Sequence, residues 1–355
     1  MGLLKFESEP EFGKLAEYVS ACQPCGALEA EEYCAPEKRL FREYTGFTVD
    51  FLYASVQLDD KRIFEDYVLW FYELLCPVMA DMPKHRVRAL LLRHFSVVEN
   101  GAEQIFAGAG LKKLKRFIGY GKRAAADAEV TGKSPEPLRY GKYEKERQRY
   151  LDALMRSDTK SAVAVAAEFL QTGIPVEDIL VEILGETMRG VGELWHSHQI
   201  SVDMEHYCTS TTQLASAQLY PVIFRQRRKK KKVLAACVGS ELHEMGARMT
   251  ADLFEYNGWD SIYLGAGADI SYVLKQIQDH RPDLAAFSVT MPQYLVQCQE
   301  MVDRLKACYP DLKIAVGGNA FQSLSKIQGN WRIDVYARDA RELVRWADDT
   351  FADEI

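Results

Sequence analysis

The 355-residue sequence has no long apolar run: its longest stretches, such as Leu284–Thr290, are strand-sized and bounded by charges. A membrane-crossing helix needs roughly 20 apolar residues, so no spanning segment is expected. The opening MGLLKFESEPEFGK puts acids where a leader would have a basic and then an apolar region, and a cytoplasmic chain is expected. Cysteine is sparse, with eight in all. Only Cys22-Gln-Pro-Cys25, with Cys34 nearby, has a spacing that suggests chemistry; no second CxxC follows, which favours free thiols over a metal or redox site. Positive charge is in deficit: 44 Lys and Arg against 51 Asp and Glu leave a formal net charge of −7, which speaks against whole-surface nucleic-acid binding and leaves room for a local basic patch. What is present, 48% hydrophobic and 27% charged residues, is the composition of a folded chain with two or three cores.

Three blocks separate by pattern, giving expected domains over 1–135, 140–225 and 231–355. In the first, Phe64, Tyr67, Val68, Phe71, Leu74 and Leu75 recur at steps of three and four and mark one apolar helix face. A second helix is expected from Arg86 to Phe106, with Pro77 and Pro83 as breakers between the two. Phe41, Tyr44, Phe47, Phe51, Tyr53, Trp70 and Tyr72 add to an aromatic-rich core. Thr131-Gly-Lys-Ser-Pro-Glu-Pro137 reads as a linker. From Tyr143 to Phe224 four helices fit, broken at Ser157-Asp158 and at Thr172-Gly-Ile-Pro175. The run Arg225-Gln-Arg-Arg-Lys-Lys-Lys-Lys232 reads as a solvated connector.

Beyond it the period changes. Strand-like runs at Val233–Val238, Ser261–Leu264, Leu284–Val289 and Ile314–Val316 alternate with amphipathic stretches at Gly246–Tyr256, Ile270–His280, Leu295–Cys308 and Arg341–Phe351. Such alternation means a doubly wound, Rossmann-like parallel sheet with helices on both faces. The chain is therefore expected to be multidomain, α plus α/β. Ligands of doubly wound sheets sit beyond the C-terminal strand ends, so the residues there carry the chemistry.

After the first strand stands Gly239-Ser-Glu-Leu-His-Glu-Met-Gly246. His243 can offer a ring nitrogen to a metal while Glu241 holds the other and fixes the tautomer. Taken alone, one loop histidine reads as a plain surface residue. The third strand, however, ends in Ser288-Val-Thr290 and the fourth in Val316-Gly317-Gly318, whose missing side chains admit a bulky group. The three motifs together resemble the cobalamin-binding domain family. That resemblance implies cobalamin as cofactor, His243 as the lower cobalt ligand with Glu241 behind it, room for the nucleotide tail at Gly246, hydrogen bonds to it from Ser288 and Thr290, and a slot lined by Gly317 and Gly318.

In the helical block, Trp195 and Glu205-His206 stand ten positions apart. This spacing resembles light-sensing adenosylcobalamin regulators, in which a four-helix cap covers the upper corrin face. The resemblance implies adenosylcobalamin, an upper pocket formed by Trp195, Glu205 and His206, and a histidine, His196 with His198 as rival, that reaches cobalt after light has removed the adenosyl group. Those regulators open with a DNA-binding helix-turn-helix that is missing ahead of Tyr143, so direct DNA binding is not expected. A related group pairs cobalamin with a bilin, and an aromatic cleft in the first block would suit biliverdin. The expected function is thus a non-enzymatic photoreceptor acting through homo-oligomerisation or a signalling partner. Its rival from another class is a corrinoid methyl carrier; a radical mutase subunit is a third reading, lacking the barrel that holds substrate.

Overall fold

The computed structural model describes Leu4, Phe6 and residues 9–22, 35–129, 141–325 and 331–352. Cys25, Cys34, the side chain of Phe41 and the expected linker at 131–137 lie outside the described residues. Two compact units divide the chain, the first made of Met1–Thr131 with Met291–Val296 and Gln322–Lys326, the second of the remainder. Among the described residues no helix is long and apolar enough to cross a membrane.

The first unit is helical: α1 (Pro10–Ala21), α2 (Ala35–Gln57), α3 (Lys61–Val78), α4 (Lys84–Ile105) and α5 (Gly108–Asp127). The apolar face read from Phe64 to Leu75 is buried, with Phe64, Val68, Phe71, Leu74 and Leu75 all fully covered. Pro77 does not break α3 as expected but sits within its last turn, while Pro83 does stand at the N-terminus of α4. The aromatics form a packed core: the Phe51 and Tyr67 rings stack at 4.5 Å and Phe64 meets Phe95 edge-on at 5.7 Å. Inside it, Thr48 is hydrogen-bonded to both the Tyr67 hydroxyl (2.7 Å) and His94 Nε2 (2.8 Å).

The second unit begins with four principal helices, as expected. These are α6 (Glu144–Met155), α7 (Thr159–Gln171), a long rod and α10 (Val202–Ala217), followed by the short α11 (Tyr220–Ile223). The rod runs from α8 (Val176–Asp178) through a π-helical segment (Ile179–Gly185) into α9 (Glu186–His196). Polar caps set the ends: Asp158 accepts from the Ser161 amide (3.0 Å) to open α7, and the Ser201 hydroxyl accepts from the Met204 amide (3.2 Å) to open α10. Tyr150, Leu154, Phe169, Ile183 and Leu184 are sealed in the bundle core.

Five parallel strands follow: β1 (Lys232–Cys237), β2 (Asp260–Tyr263), β3 (Leu284–Ser288), β4 (Lys313–Gly317) and β5 (Val335–Ala337), in the order β2-β1-β3-β4-β5. Ala235, Ala286 and Ala315 are in register across the three central strands. Helices α12 (Met245–Tyr256), α13 (Ile270–His280), α14 (Leu295–Cys308) and α15 (Ala340–Thr350) complete the doubly wound fold. The basic run ahead of β1 is a solvated connector only in part: Arg225, Arg227 and Lys230 are exposed, but three of its other residues are tied down. Lys231 is 7% exposed, bonded to Asp283 at 3.2 Å with its ammonium 4.9 Å from the Phe351 ring centre. Lys229 reaches Asp348 at 2.6 Å, and Arg228 pairs with Glu255. The positive charge of these three is spent on fastening the chain to the base of the sheet, because long basic side chains can bury their stems while an acid meets the head.

Candidate functional site

Strand order reverses between β1 and β3, and the loops after these two strands flank the crevice where a doubly wound sheet takes its ligand. Glu241 joins them. Its carboxylate is 1% exposed; Oε1 accepts from His243 Nδ1 and from the His243 amide (3.3 Å), while Oε2 accepts from the Thr290 amide at 3.0 Å. The ring is thus held in one orientation, with Nε2 left as the nitrogen for an outside ligand. Burial works against a charged imidazole, but the hydrogen bond and charge of Glu241, with Glu205 adding to them, raise the His243 pKa above its ordinary value. The imidazole side chain is 48% exposed, so the crevice is open to a large group. Below it the Cys237 thiol faces the His243 carbonyl at 3.7 Å, pushed up to about 12 by burial and then by Glu241 and Glu244, which leaves it an inert thiol.

The other strand-end residues divide by cause. A Cβ at Gly246 would meet nothing within 4 Å, so open space lies beside the histidine loop. Gly318 is demanded by the fold itself: its φ is +101°, and a Cβ would stand 2.3 Å from the Val289 carbonyl oxygen. At Gly317 a Cβ would come within 3.0 Å of the Ala337 carbonyl oxygen. Ser288 closes β3 half-buried. Thr290 contributes its backbone amide to Glu241, a role its hydroxyl did not advertise.

The cap residues flank the turn between α9 and α10. Trp195 lies in the last turn of α9 and is half-buried rather than part of the core, its ring centre 6.5 Å from that of His196. Glu205 stands in the first turn of α10, accepting from the Thr209 hydroxyl at 2.9 Å, and its charge adds to that of Glu241 in raising the His243 pKa. His206 is exposed and 3.6 Å from Glu205; His198 is exposed in the turn with φ +56°. The structure thus gathers Glu241, His243 and Thr290 directly and brings Glu205 within electrostatic reach of them. Three features had escaped the sequence: Leu242, an apolar side chain 70% exposed beside His243; the bond from Gln213 on α10 to Glu244; and Tyr220, which ties the cap to α12 through Asp252 (3.2 Å) and Arg248 (2.7 Å). A leucine set between Glu241 and the candidate ligand His243 in an otherwise polar loop was the one signal available.

Among the described residues no three His, Cys, Asp or Glu side chains come together as a protein-built metal cage requires. A metal at His243 must therefore bring its own equatorial ligands. An open crevice, one oriented imidazole, an exposed apolar neighbour and space at Gly246 fit a metal already held in a large planar ring. This is the donor set of a corrinoid site, and the family comparison agrees: residues 231–342 match the B12 binding domain, and residues 146–220 match a second B12 binding domain model. Both stretches are thus B12 binding domains, and they support a cobalamin as the bound group.

The chain is 26% identical over 200 residues to the HTH-type transcriptional repressor CarH of Myxococcus xanthus, covering 56% of this chain and 65% of the repressor. It is also 20% identical over 202 residues to trimethylamine corrinoid protein 1 of Methanosarcina mazei, covering 54% of this chain and 91% of that protein. Among solved structures, the monomethylamine corrinoid protein of Methanosarcina barkeri superposes with a TM-score of 0.53 at 19% identity, over 59% of this chain and all of that one. The shared part is the fold of cap and doubly wound domain.

Proposed function

We propose that the protein is a light receptor that carries adenosylcobalamin between its cap and its doubly wound domain and signals without catalysis. The observation that carries this reading is the cap end itself: a half-buried indole at Trp195 and an acid at Glu205 whose charge reaches His243. When bound, adenosylcobalamin supplies a cobalt–carbon bond that visible light breaks. The rest falls to the chain. His243 holds the lower side in the orientation Glu241 sets, and Gly246, Ser288, Thr290, Gly317 and Gly318 border the path of the tail. Trp195 would cover the bound group and exclude water, Glu205 and His206 would offer hydrogen bonds to ribose or adenine, and His196 would supply the second imidazole once the adenosyl group has left. The two cap positions need differ by only a few kcal/mol for light to shift their populations. The output is a changed association with a second copy or with a signalling partner.

The likeness to a trimethylamine corrinoid protein over 91% of that protein's length favours a second reading, a methyl carrier. A carrier needs a small, open upper side, and Trp195 is large. Absorbance of the adenosylcobalamin-loaded protein in the dark and after green light separates the two. A receptor gives a stable spectral change together with a change in elution volume; an unaltered elution volume, with methylcobalamin kept preferentially, would support the carrier. Additional red absorbance in the protein as isolated would reveal a bilin such as biliverdin in the first unit.

A further inference from the structure

Helix α10 of the cap meets the N-terminus of α12 through one polar contact, from Gln213 to Glu244. On α10, Glu205, Thr209 and Gln213 recur every four residues; on the other side Glu244, Arg248 and Asp252 do the same along α12. Gln213 Nε2 donates to Glu244 Oε1 at 2.8 Å, and the Tyr263 hydroxyl, from the edge strand β2, donates to Glu244 Oε2 at 3.0 Å. Both carboxylate oxygens therefore have neutral donors, one from the cap and one from the sheet. Glu244 is also the residue that follows His243 and stands immediately ahead of α12. The loop carrying the imidazole is thus held from behind by Glu241 and from its far end by Glu244, and half of that second hold belongs to the cap.

We propose that Gln213 and Glu244 form a latch through which the seating of α10 sets the order of the His243 loop. Gln213 and Glu244 are positioning residues, acting on cobalt only through His243; the inference rests on His243 as the cobalt-facing residue and not on a response to light. A cap that lifts withdraws the Gln213 donor and leaves Glu244 bound to β2 alone. The amides of His243 and Thr290, both held by Glu241 and neither touching Gln213, then lose protection. The second tie between cap and α12, from Tyr220 to Arg248 and Asp252, lies one and two helical turns further along α12 and provides the contrast.

The test uses the full chain without cofactor. In Gln213→Ala, hydrogen exchange at the His243 and Thr290 amides should quicken roughly tenfold, the order expected for a lost hydrogen bond to a carboxylate. Gln213→Glu, which sets like charges together, should quicken it further. Tyr220→Phe should leave these two amides at the parental rate while loosening α11. With hydroxocobalamin added, the Gln213 variants should show a larger fraction of the spectrum that lacks a nitrogen below cobalt, and Tyr220→Phe should not. Circular dichroism confirms that each variant is folded; Gln213→Ala keeps helix propensity high and carries the test if the glutamate variant does not fold. Equal exchange in Gln213→Ala and parent, or an equal rise in Gln213→Ala and Tyr220→Phe, overturns the latch. Failure of the protein to photoconvert leaves both exchange results standing and overturns only the receptor reading.

Discussion

Replacing Asp50 by Asn exposes a balance hidden in the first unit. Asp50 is 1% exposed with no side-chain partner among the described residues, and burial pushes its carboxyl up to about 7, a rise that the Leu4 backbone offsets only in part. Between the ordinary 3.8 and about 7 the folded chain holds a proton that the unfolded chain has released. Stability therefore falls as pH rises through that window, by about 1.4 kcal/mol per pH unit and about 4 kcal/mol in all. His94 works in the opposite sense. It is 3% exposed and burial holds its imidazole down at about 3, so below the ordinary 6.5 the unfolded chain binds a proton that the folded chain refuses, and stability is lost as pH falls. From about pH 4 to 6.5 the two slopes are of similar size and opposite sign, and the parent shows neither. The neighbouring Tyr67 hydroxyl is pushed far above this range by burial and does not interfere. In Asp50→Asn the histidine slope stands alone. The difference in unfolding free energy, variant minus parent, should be level below about pH 4, climb by about 1.4 kcal/mol per unit, and level off above about 7. Urea denaturation followed by circular dichroism measures it, with hydrogen exchange of the buried α2 and α4 amides assigning the change to the first unit. A difference that stays flat from pH 4 to 8 would refute the idea that Asp50 is buried as the acid.

Gly318→Ala should destabilise the second unit by about 2–4 kcal/mol, because an alanine must adopt a positive φ and displace the Val289 carbonyl; an unchanged urea midpoint would mean that the turn re-forms elsewhere. His243→Ala should weaken cobalamin binding and abolish the nitrogen-ligated spectrum, and titration of the variant with hydroxocobalamin reads both. Trp195→Ala should keep cobalamin bound yet lose preference for the adenosyl over the methyl form, whereas equal selectivity in variant and parent would remove the indole from the upper side.

The doubly wound half was legible because its signals are local. The amphipathic stretches Ile270–His280 and Leu295–Cys308 are helices with those same bounds. β5 was missed: three residues, Val335–Ala337, of which only Ala337 is buried, make too short a run to register as a strand. The π segment was invisible because Ile179, Leu180, Ile183 and Leu184 are spaced as an ordinary α-helical face. The basic run read as solvated because its partners, from Glu255 to Asp348, lie 27 to 119 residues further on, and only the folded sheet brings them back. At the site, Glu241 and His243 are two residues apart and could be paired on paper. The Thr290 amide and the Gln213 side chain could not, one being backbone and the other a commonplace polar residue on a helix.

The π segment carries a consequence for the far end of its rod. Each α-helical residue advances the side-chain direction by 100°, and a π turn takes in one residue more than an α turn. The Glu186 amide reaches back to the Val181 carbonyl, five residues away, so everything beyond it is out of phase with the half that Ile179, Ile183 and Leu184 key into the bundle. Winding the same residues as a regular α-helix would swing Trp195 and His196 by about a quarter-turn or more around the axis, whereas deleting a single residue between Ile179 and Gly185 would restore a regular helix with the indole facing nearly as before. The aim of the indole is set by a counting irregularity nearly three turns upstream, so two close relatives could share each residue named at the site and still differ in which side chain looks down on the crevice.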